Sequence, residues 1–452
     1  MLARVTCSSI MPPDPLKGKS YRPSRGLRSA TVSGRSSHRR VIFSPRHSSL
    51  FWRTLKSDAP SPPIGLILLL CIMMLLLEGC FGRPQLPKTA DIQDDMAAFS
   101  EKPHYEPPGL EASPLWRETW QHSGRTLDVS YMAPLAEGRY PLILYFPGLG
   151  EDAAAGHLWR SAWVAAGYAV LTLQATHDRD ATRHLNADDQ HDLRMIAHPR
   201  FSREASRQRL LDVDYVLKEC QRLREMGDPA FRKADDQQLI VAGYDLGAQT
   251  AALLAGEQHP GVKDPAPIAP VIAGILLSPH VDLAAGGLES RYDRIDTPLL
   301  IVTGTEDHDP YGISSPSLRT AIFKQSPPGQ KYLLMLDYGL HQQLAGKSLT
   351  EQDPDLQEHE ESPLPDEAVE AMNKGQHGRR GGSSSGRHPP AGSTMLLETR
   401  FNPHHYGQQL TAIATTSVAF LDATVKHSPK AAQWLASDST AWLGKIAVLQ
   451  HR

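Results

Sequence analysis

The chain has few cysteines, and its charges nearly cancel. Only four of its 452 residues are cysteines, and two of these, Cys71 and Cys80, lie in or just after one hydrophobic run, so a disulfide framework is not indicated. With 47 Lys+Arg against 50 Asp+Glu, the net charge of −3 excludes a strongly basic nucleic-acid binder and an acidic disordered chain. No motif recurs at a fixed interval, which excludes a fibre or a solenoid. We therefore expect one large domain with no nucleic-acid partner.

The N-terminal part is typical of an exported protein. Residues 1–62 are rich in Arg, Lys, Ser and Pro and lack apolar periodicity, which predicts a disordered basic region. Ile64–Leu77 then contains no charge, but it is shorter than the ~20 residues that a spanning helix needs. We therefore interpret residues 63–80 as a signal peptide or membrane anchor, with a buried core helix as the alternative.

The end of this run resembles the bacterial lipobox. Leu77-Glu78-Gly79-Cys80 has the aliphatic residue, the small residue and the cysteine of that motif, although Glu78 departs from it. The resemblance implies acylation of Cys80, and two acyl chains give stable anchoring. Residues 81–112, rich in proline and polar groups, would then be a tether. These features predict an exported, lipid-anchored protein at the cell membrane or facing the periplasm; a plain signal peptide is the alternative.

A second biased tract interrupts the C-terminal half. Residues 344–394 begin acidic and end basic and rich in Gly and Ser. Such a composition does not bury a core, so we expect a disordered surface insertion.

The remaining sequence alternates short aliphatic runs with helical patterns. The clearest helical pattern covers about Ala205 to Arg224, where apolar residues recur at 3.6-residue spacing. The alternation predicts an α/β domain over residues 113–343 and 395–440, with a mostly parallel, doubly wound sheet and helices on both faces. The strand candidates are Thr126–Met132, Pro141–Phe146, Ala169–Leu173, Leu239–Ala242, Ala273–Leu277, Leu299–Thr303 and Tyr332–Leu336.

The most informative motif lies where one aliphatic run meets a helix rich in small residues. The run from Leu239 enters Gly243-Tyr-Asp245-Leu-Gly247, and Ala-Gln-Thr-Ala-Ala follows. A strand, a tight G-x-D-x-G turn and a helix form the context of a nucleophile elbow, in which a strained turn lifts the central residue above the sheet. Asp245 is thus the first candidate for a chemical role.

Here the chain resembles the α/β-hydrolase fold, most closely its dienelactone hydrolase and platelet-activating-factor acetylhydrolase-like branch. The resemblance implies Asp245 at the nucleophile position, Asp307 as the acid and His341 as the base, in the chain order of that fold. It covers roughly residues 115–345 and 396–436. The segments that carry it are YPLILYFPGLGED, WVAAGYAVLTLQATHDRD, GYDLGAQTAALLAG, TPLLIVTGTEDHDP, GLHQQLAG and TTSVAFLDATVK.

The same resemblance implies an oxyanion hole and a pocket. Backbone N–H groups of Leu246 and of Leu149 or Gly148 would form the hole, since Pro147 has no N–H to donate. Tyr244 would line the pocket, or pack at the sheet edge instead.

Each implied role has a plainer alternative. His341 could be a surface histidine, and Asp309 could be the acid in place of Asp307. His404 and His405 compete with His341, although they precede the final helix.

The histidine-rich segment from Thr176 to Glu204 also has two interpretations. It could form a lid or rim over the site. It could instead bind a metal ion, but it has no H-x-H or H-E-x-x-H pair, and we expect no metal and no cofactor.

The main departure from ester-cleaving relatives is Asp245 in place of serine. A carboxylate with a pKa of about 3.9 is already ionised, and the N-terminus of the following helix favours that form. Acyl transfer through a carboxylate is poor, because the tetrahedral species expels the carboxylate before an alkoxide. Displacement of a halide or opening of an epoxide is better, with the resulting ester hydrolysed by water.

Three functions therefore remain open. The first is a hydrolase that uses Asp245, His341 and Asp307 on a small-molecule substrate; ester-like substrates follow from the resemblance, and alkyl halides or epoxides from the chemistry. The second is a catalytically inactive binding protein of the cell envelope. The third is another kind of envelope protein.

Overall fold

The structure is a computed structural model that describes residues 87–183, 190–258, 270–281, 283, 286–349 and 402–452. The predicted disordered region, the predicted signal or anchor and Cys80 lie outside the described residues. Within these ranges, no helix combines the length and the apolar character that a membrane-spanning segment needs.

The described residues form one nine-stranded, mostly parallel sheet with the order β1-β2-β4-β3-β5-β6-β7-β8-β9. Neighbours from β4 to β8 pair in parallel, whereas β1 with β2, β2 with β4, and β8 with β9 pair antiparallel. The strands are β1 Trp116–His122, β2 Arg125–Met132, β3 Tyr140–Phe146, β4 Ala169–Ala175, β5 Ala234–Tyr244, β6 Val271–Leu277, β7 Leu299–Glu306, β8 Lys331–Leu340 and β9 Ala447–His451.

Helices lie between most of these strands and after β8. The helices are α1 Thr89–Ser100, α2 His157–Ala165, α3 Thr176–Arg179, α4 Gln190–Arg200, α5 Arg203–Glu225, α6 Leu246–Leu254, α7 Leu288–Tyr292, α8 Pro316–Arg319, α9 Ala321–Gln325, α10 Pro403–Thr424, α11 Pro429–Gln433 and α12 Ser439–Leu443. Short 3-10 turns cover Phe231–Lys233 and His341–Ala345, and one π-helical turn covers Trp434–Asp438.

The parallel strands are buried on both faces because helices cover each side. Along β3, Ile143 and Tyr145 join a cluster that includes Trp159 of α2. The alternate residues Leu142 and Leu144 join the opposite cluster with α5. This two-residue alternation between two apolar layers explains the continuous aliphatic runs in the sequence. The predicted α/β class, with a mostly parallel sheet and helices on both faces, is confirmed.

The predicted elements occur where the sequence pattern put them. Each of the seven strand candidates lies within an observed strand, and the predicted helix at Ala205 to Arg224 is α5. Its predicted apolar stripe, Leu210, Val213, Leu217 and Cys220, is buried. Ser202 caps this helix by accepting a hydrogen bond from the backbone N–H of Ala205.

Three domain boundaries differ from the prediction. Part of the predicted tether forms α1, which packs on α10 with Ile92 and Phe99 buried, so that apolar contact outweighs the polar composition. Leu344 is fully buried, so the predicted insertion starts inside the folded core. The domain also continues beyond residue 440, because β9 completes the sheet beside β8.

Candidate active site

The turn between β5 and α6 holds Asp245 in a strained conformation. Asp245 has φ 50° and ψ −113°, a region that non-glycine residues rarely adopt. A Cβ on Gly243 would lie 2.3 Å from the backbone of Gly247, and a Cβ on Gly247 would lie 1.9 Å from the carbonyl oxygen of Phe146. Only glycine fits at both positions, so the close passage of strand and helix that the motif predicts is present.

The two carboxyl oxygens of Asp245 have different environments. Oδ2 accepts hydrogen bonds from the backbone N–H of Leu149 at 3.3 Å and from the hydroxyl of Tyr311 at 3.0 Å. Oδ1 is buried and has no hydrogen-bond partner among the described residues. One oxygen is therefore fixed by two donors, while the other is left for a reaction partner.

His341 lies beside that second oxygen. It follows β8, and its Nε2 is 4.0 Å from Asp245 Oδ1. Its Nδ1 lies 2.8 Å from Oδ1 of Asp307, which follows β7. Because an ionised carboxylate only accepts hydrogen bonds, the Nδ1–H group of His341 donates to Asp307. Nε2 is then the basic nitrogen, and it faces Asp245.

Asp307 is fully buried but strongly hydrogen-bonded. Thr303 donates to its Oδ2 at 2.7 Å, Ser278 donates to its Oδ1 at 2.8 Å, and the guanidinium of Arg319 lies 3.3 Å from Oδ2. Burial alone would raise the pKa of Asp307, but Arg319, His341 and Thr303 together lower it to about 2. Asp307 is thus ionised at neutral pH and orients the imidazole.

The pKa of Asp245 shifts in the opposite direction from the one expected. Burial raises the pKa of Asp245, and the nearby Asp309 adds to the effect, while His341 and Arg319 oppose it. The expectation of an ordinary carboxyl pKa at the N-terminus of α6 is therefore corrected. Loss of water around the carboxyl outweighs the attraction of His341 and Arg319.

The alternative acid Asp309 and the alternative histidine His404 make other contacts. Asp309 accepts from the backbone N–H groups of Tyr311, Ile313 and Ser314 and so shapes the loop that carries Tyr311. His404 contacts Asp95 of α1 at 2.9 Å. The hydrogen-bonded pair beside Asp245 therefore consists of His341 and Asp307, and neither Asp309 nor His404 belongs to it.

The three predicted oxyanion-hole residues do not direct their N–H groups at one common point. The N–H of Leu149 points at Asp245 itself, and the N–H of Gly148 donates to Oε2 of Glu151 at 2.8 Å. Leu246 is the first residue of α6, directly after Asp245. The N–H groups of Leu149 and Gly148 therefore donate to acidic side chains of the site, and only that of Leu149 contacts Asp245.

Tyr244 lies at the pocket and contacts the histidine. Its ring centre is 5.1 Å from that of His341, and its hydroxyl donates to the carbonyl oxygen of His341 at 3.2 Å. Tyr244 is buried, and its side chain lines the cavity.

A large cavity of about 1320 Å³ opens over these residues. Tyr244, Asp245, Tyr311 and His341 lie on its wall together with Glu151. This volume exceeds the 300–1,000 Å³ typical of small-molecule pockets, so the cavity has room for a substrate together with water.

The histidine-rich segment forms part of this wall. Thr182 and Arg183 line the cavity, and the carbonyl oxygen of Asp178 accepts from the N–H of Gly150 at 3.0 Å. Phe201, which follows α4, packs against Tyr311 with ring centres 5.5 Å apart. Across the part of the chain that the structure describes, no three His, Cys, Asp or Glu side chains lie close enough to hold a metal ion.

Sequence reasoning missed Tyr311, Ser278 and Arg319. Ser278 and Tyr311 follow the carboxyl ends of β6 and β7, where ligands bind in parallel sheets, and this rule could have singled them out. Arg319 has no comparable local signal, because it reaches Asp307 from α8.

No model of a known protein family matches the chain, and a search of curated proteins finds no similar sequence. The function of the site is therefore inferred from its own geometry and chemistry.

Proposed function

We propose that this domain is an α/β-hydrolase-fold hydrolase in which Asp245 attacks a saturated carbon and forms an alkyl ester. His341 then activates the water that hydrolyses the ester, and Asp307 orients His341. The observation that carries the proposal is the unequal environment of the two Asp245 oxygens.

The assignment to the α/β-hydrolase fold rests on the positions of the three site residues in the sheet. The elbow follows β5, the acid follows β7 and the histidine follows β8. All three are at the carboxyl edge of the parallel strands, as the α/β-hydrolase arrangement requires.

The first step uses Oδ1 of Asp245. This oxygen has no donor to hold it, so its lone pair is available to attack carbon, and the bond to the leaving group breaks. Oδ2 then becomes the carbonyl oxygen of the ester and stays hydrogen-bonded to Leu149 and Tyr311.

The second step uses the same donors as an oxyanion hole. Water attacks the Cγ of Asp245, its proton goes to Nε2 of His341, and negative charge develops on Oδ2. The N–H of Leu149 and the hydroxyl of Tyr311 already point at that atom. Collapse of the tetrahedral species releases the alcohol, which takes the proton from His341.

The raised pKa of Asp245 suits a nucleophile in this setting. A buried carboxylate with weak solvation is more reactive toward carbon than one surrounded by water, since less hydration must be removed. The ionised Asp307 stabilises the imidazolium that forms on His341 during ester hydrolysis.

We also propose export and lipid anchoring at Cys80, on the basis of the sequence from Ile64 to Cys80. Metabolic labelling with palmitate should mark the wild-type chain but not Cys80→Ala. Equal labelling of the wild type and Cys80→Ala would exclude Cys80 as the acylated residue.

The competing function is a binding protein without catalysis, which the missing serine favours. The experiment that separates the two is a screen of the full-length protein against esters, lactones, epoxides and alkyl halides, with Asp245→Asn and Asp245→Ser alongside. We expect turnover of epoxides or halides that Asp245→Asn lowers by at least 1,000-fold, since it removes the nucleophile. Full activity of Asp245→Asn toward every substrate would exclude a chemical role for the elbow.

A further inference from the structure

Glu151 is a second carboxyl group on the wall of the cavity that contains Asp245 and His341. It lies in the turn after β3, where its Oε2 accepts from the N–H of Gly148 at 2.8 Å. Gln174 fixes this turn by donating to the carbonyl oxygens of Gly148 and Glu151 at 2.8 and 2.9 Å. The Glu151 carboxyl is therefore held in place on the wall of this cavity by the backbone around it.

Opening of an epoxide by Asp245 needs a proton for the departing oxygen, whereas a halide leaves without one. Two tyrosine hydroxyls face the site, but Tyr311 donates to Asp245 and Tyr244 donates to the carbonyl oxygen of His341. Neither proton is directed at a leaving group.

The other carboxyl groups on the cavity wall have partners of their own. Asp128 pairs with Arg179, Asp152 accepts from the N–H of Ala154, and Glu118 accepts from the indole of Trp120. Glu151 also accepts a hydrogen bond, but it differs from these groups because it lies in the same turn as Leu149, whose N–H donates to Asp245.

We propose that Glu151 donates the proton that the leaving oxygen takes up, so that the site favours epoxides, while alkyl halides react more slowly and without this proton. This inference rests on the proposed function, because it requires Asp245 as the nucleophile. Leu246 after the elbow also offers no N–H side chain to a halide.

The proton count closes over the cycle. Oδ1 of Asp245 bonds to the epoxide carbon, the carbon–oxygen bond breaks, and the oxygen takes the Glu151 proton. Water then adds to Cγ with His341 as base, and the ester bond breaks with His341 as acid. The Asp245 acid formed in this way loses its proton, which returns to Glu151, so that epoxide and water give a diol.

The electrostatic surroundings of Glu151 agree with this role. Burial raises the pKa of Glu151 to about 7, and Asp245 adds to the shift, while the Gly148 N–H, Lys347 and His341 oppose it. A group with this pKa is half protonated near neutral pH, which suits a general acid. The charged or titratable groups that face it are Lys347, Asp245, His341, Tyr145 and Tyr244.

The test compares leaving groups in Glu151→Gln, whose amide oxygen still accepts from Gly148. A panel of epoxides and the alkyl bromides with the same carbon skeletons is reacted with the full-length protein, and formation of the Asp245 ester is followed by mass spectrometry. We expect Glu151→Gln to slow ester formation from epoxides by about 100-fold or more while bromides react within about twofold of wild type. Glu137→Gln, at an exposed glutamate outside the cavity, should change neither rate.

The pH profile supplies a second readout that a structural role would not move. With epoxides, the wild-type rate of ester formation should fall as the pH rises through about 7, where Glu151 loses its proton, and this fall should vanish in Glu151→Gln. Equal slowing of epoxides and bromides by Glu151→Gln, or an unchanged pH profile, would overturn the role of Glu151. If neither class forms an ester in the wild type, the proposed function itself fails.

Discussion

At Asp245, burial and hydrogen bonding act on one carboxyl group in opposite directions. Burial raises its pKa, whereas His341 and the Leu149 N–H favour the ionised form. The donors contact Oδ2 and leave Oδ1 without one. A single residue thus provides both a nucleophilic oxygen and an oxyanion that is stabilised in advance.

The hydroxyl of Tyr311 should matter most in the second chemical step. Tyr311→Phe removes one of the two donors to Oδ2, so hydrolysis of the ester should slow by about 100-fold, with a smaller effect on its formation. Rapid-quench mass spectrometry should show the ester accumulating in this variant.

The control for that prediction is Tyr292→Phe, which removes a buried hydroxyl that does not line the cavity. It should hydrolyse the ester at the wild-type rate. If Tyr311→Phe also hydrolysed the ester at the wild-type rate, Tyr311 would have no part in the oxyanion hole.

Asp307 should make the free energy of unfolding depend on pH in the acidic range. Its pKa is about 2 in the folded protein, below the unfolded value of about 3.9, so its ionised form stabilises the fold above pH 4. That contribution is lost as the pH falls toward 2. Between pH 5 and pH 2.5, the wild type should therefore lose about 2 kcal/mol more of its unfolding free energy than Asp307→Asn.

Urea titrations across this pH range measure the unfolding free energy of both proteins. Asp214→Asn on α5 is the control, and its unfolding free energy should change with pH as in the wild type. Identical pH dependence in wild type and Asp307→Asn would show that Asp307 is not the strongly stabilised anion described above.

On the scale of elements, the elbow depends on how closely α6 passes β3. A Cβ at Gly247 would meet the carbonyl oxygen of Phe146 at 1.9 Å, and this oxygen belongs to a strand that cannot shift alone. Gly247→Ala should therefore cost more than about 3 kcal/mol of stability or prevent folding.

Gly287→Ala is the matched substitution, since a Cβ there meets only the Ser290 hydroxyl at 3.6 Å. Differential scanning calorimetry should show a clear loss in midpoint for Gly247→Ala and little change for Gly287→Ala. Equal midpoints would mean that the strand and the helix do not pass as closely as described.

On the scale of the whole molecule, the sequence predicted the parts of the fold with strong local patterns. Continuous aliphatic runs marked the central strands, and the glycine spacing marked the elbow. β1 and β9 were missed because both are edge strands whose residues are mostly exposed or half-buried, so neither reads as a fully buried aliphatic run. Arg319 was missed because it belongs to no local motif, and its contact to Asp307 forms only when α8 packs beside the end of β7.

The boundaries of the predicted insertion can be tested at this scale. Replacing residues 350–401 with a Gly/Ser linker should leave the thermal midpoint nearly unchanged, because that tract is poor in core-forming residues. Replacing residues 344–394 instead should lower the midpoint strongly, since Leu344 and Ala345 are buried in the core and Trp159 donates to the carbonyl oxygen of Leu344. A similar loss from both replacements would show that the longer tract belongs to the fold.

The most direct test of the central claim is a single turnover in heavy-oxygen water, followed by mass spectrometry of the peptide that contains Asp245. Water that attacks Cγ must leave its oxygen in the Asp245 side chain, and His341→Gln should trap the ester before this step. The account predicts label in Asp245 and a trapped adduct of the substrate's mass. Label found only in the product, with no adduct in His341→Gln, would contradict it, because Asp245 would then not be the nucleophile.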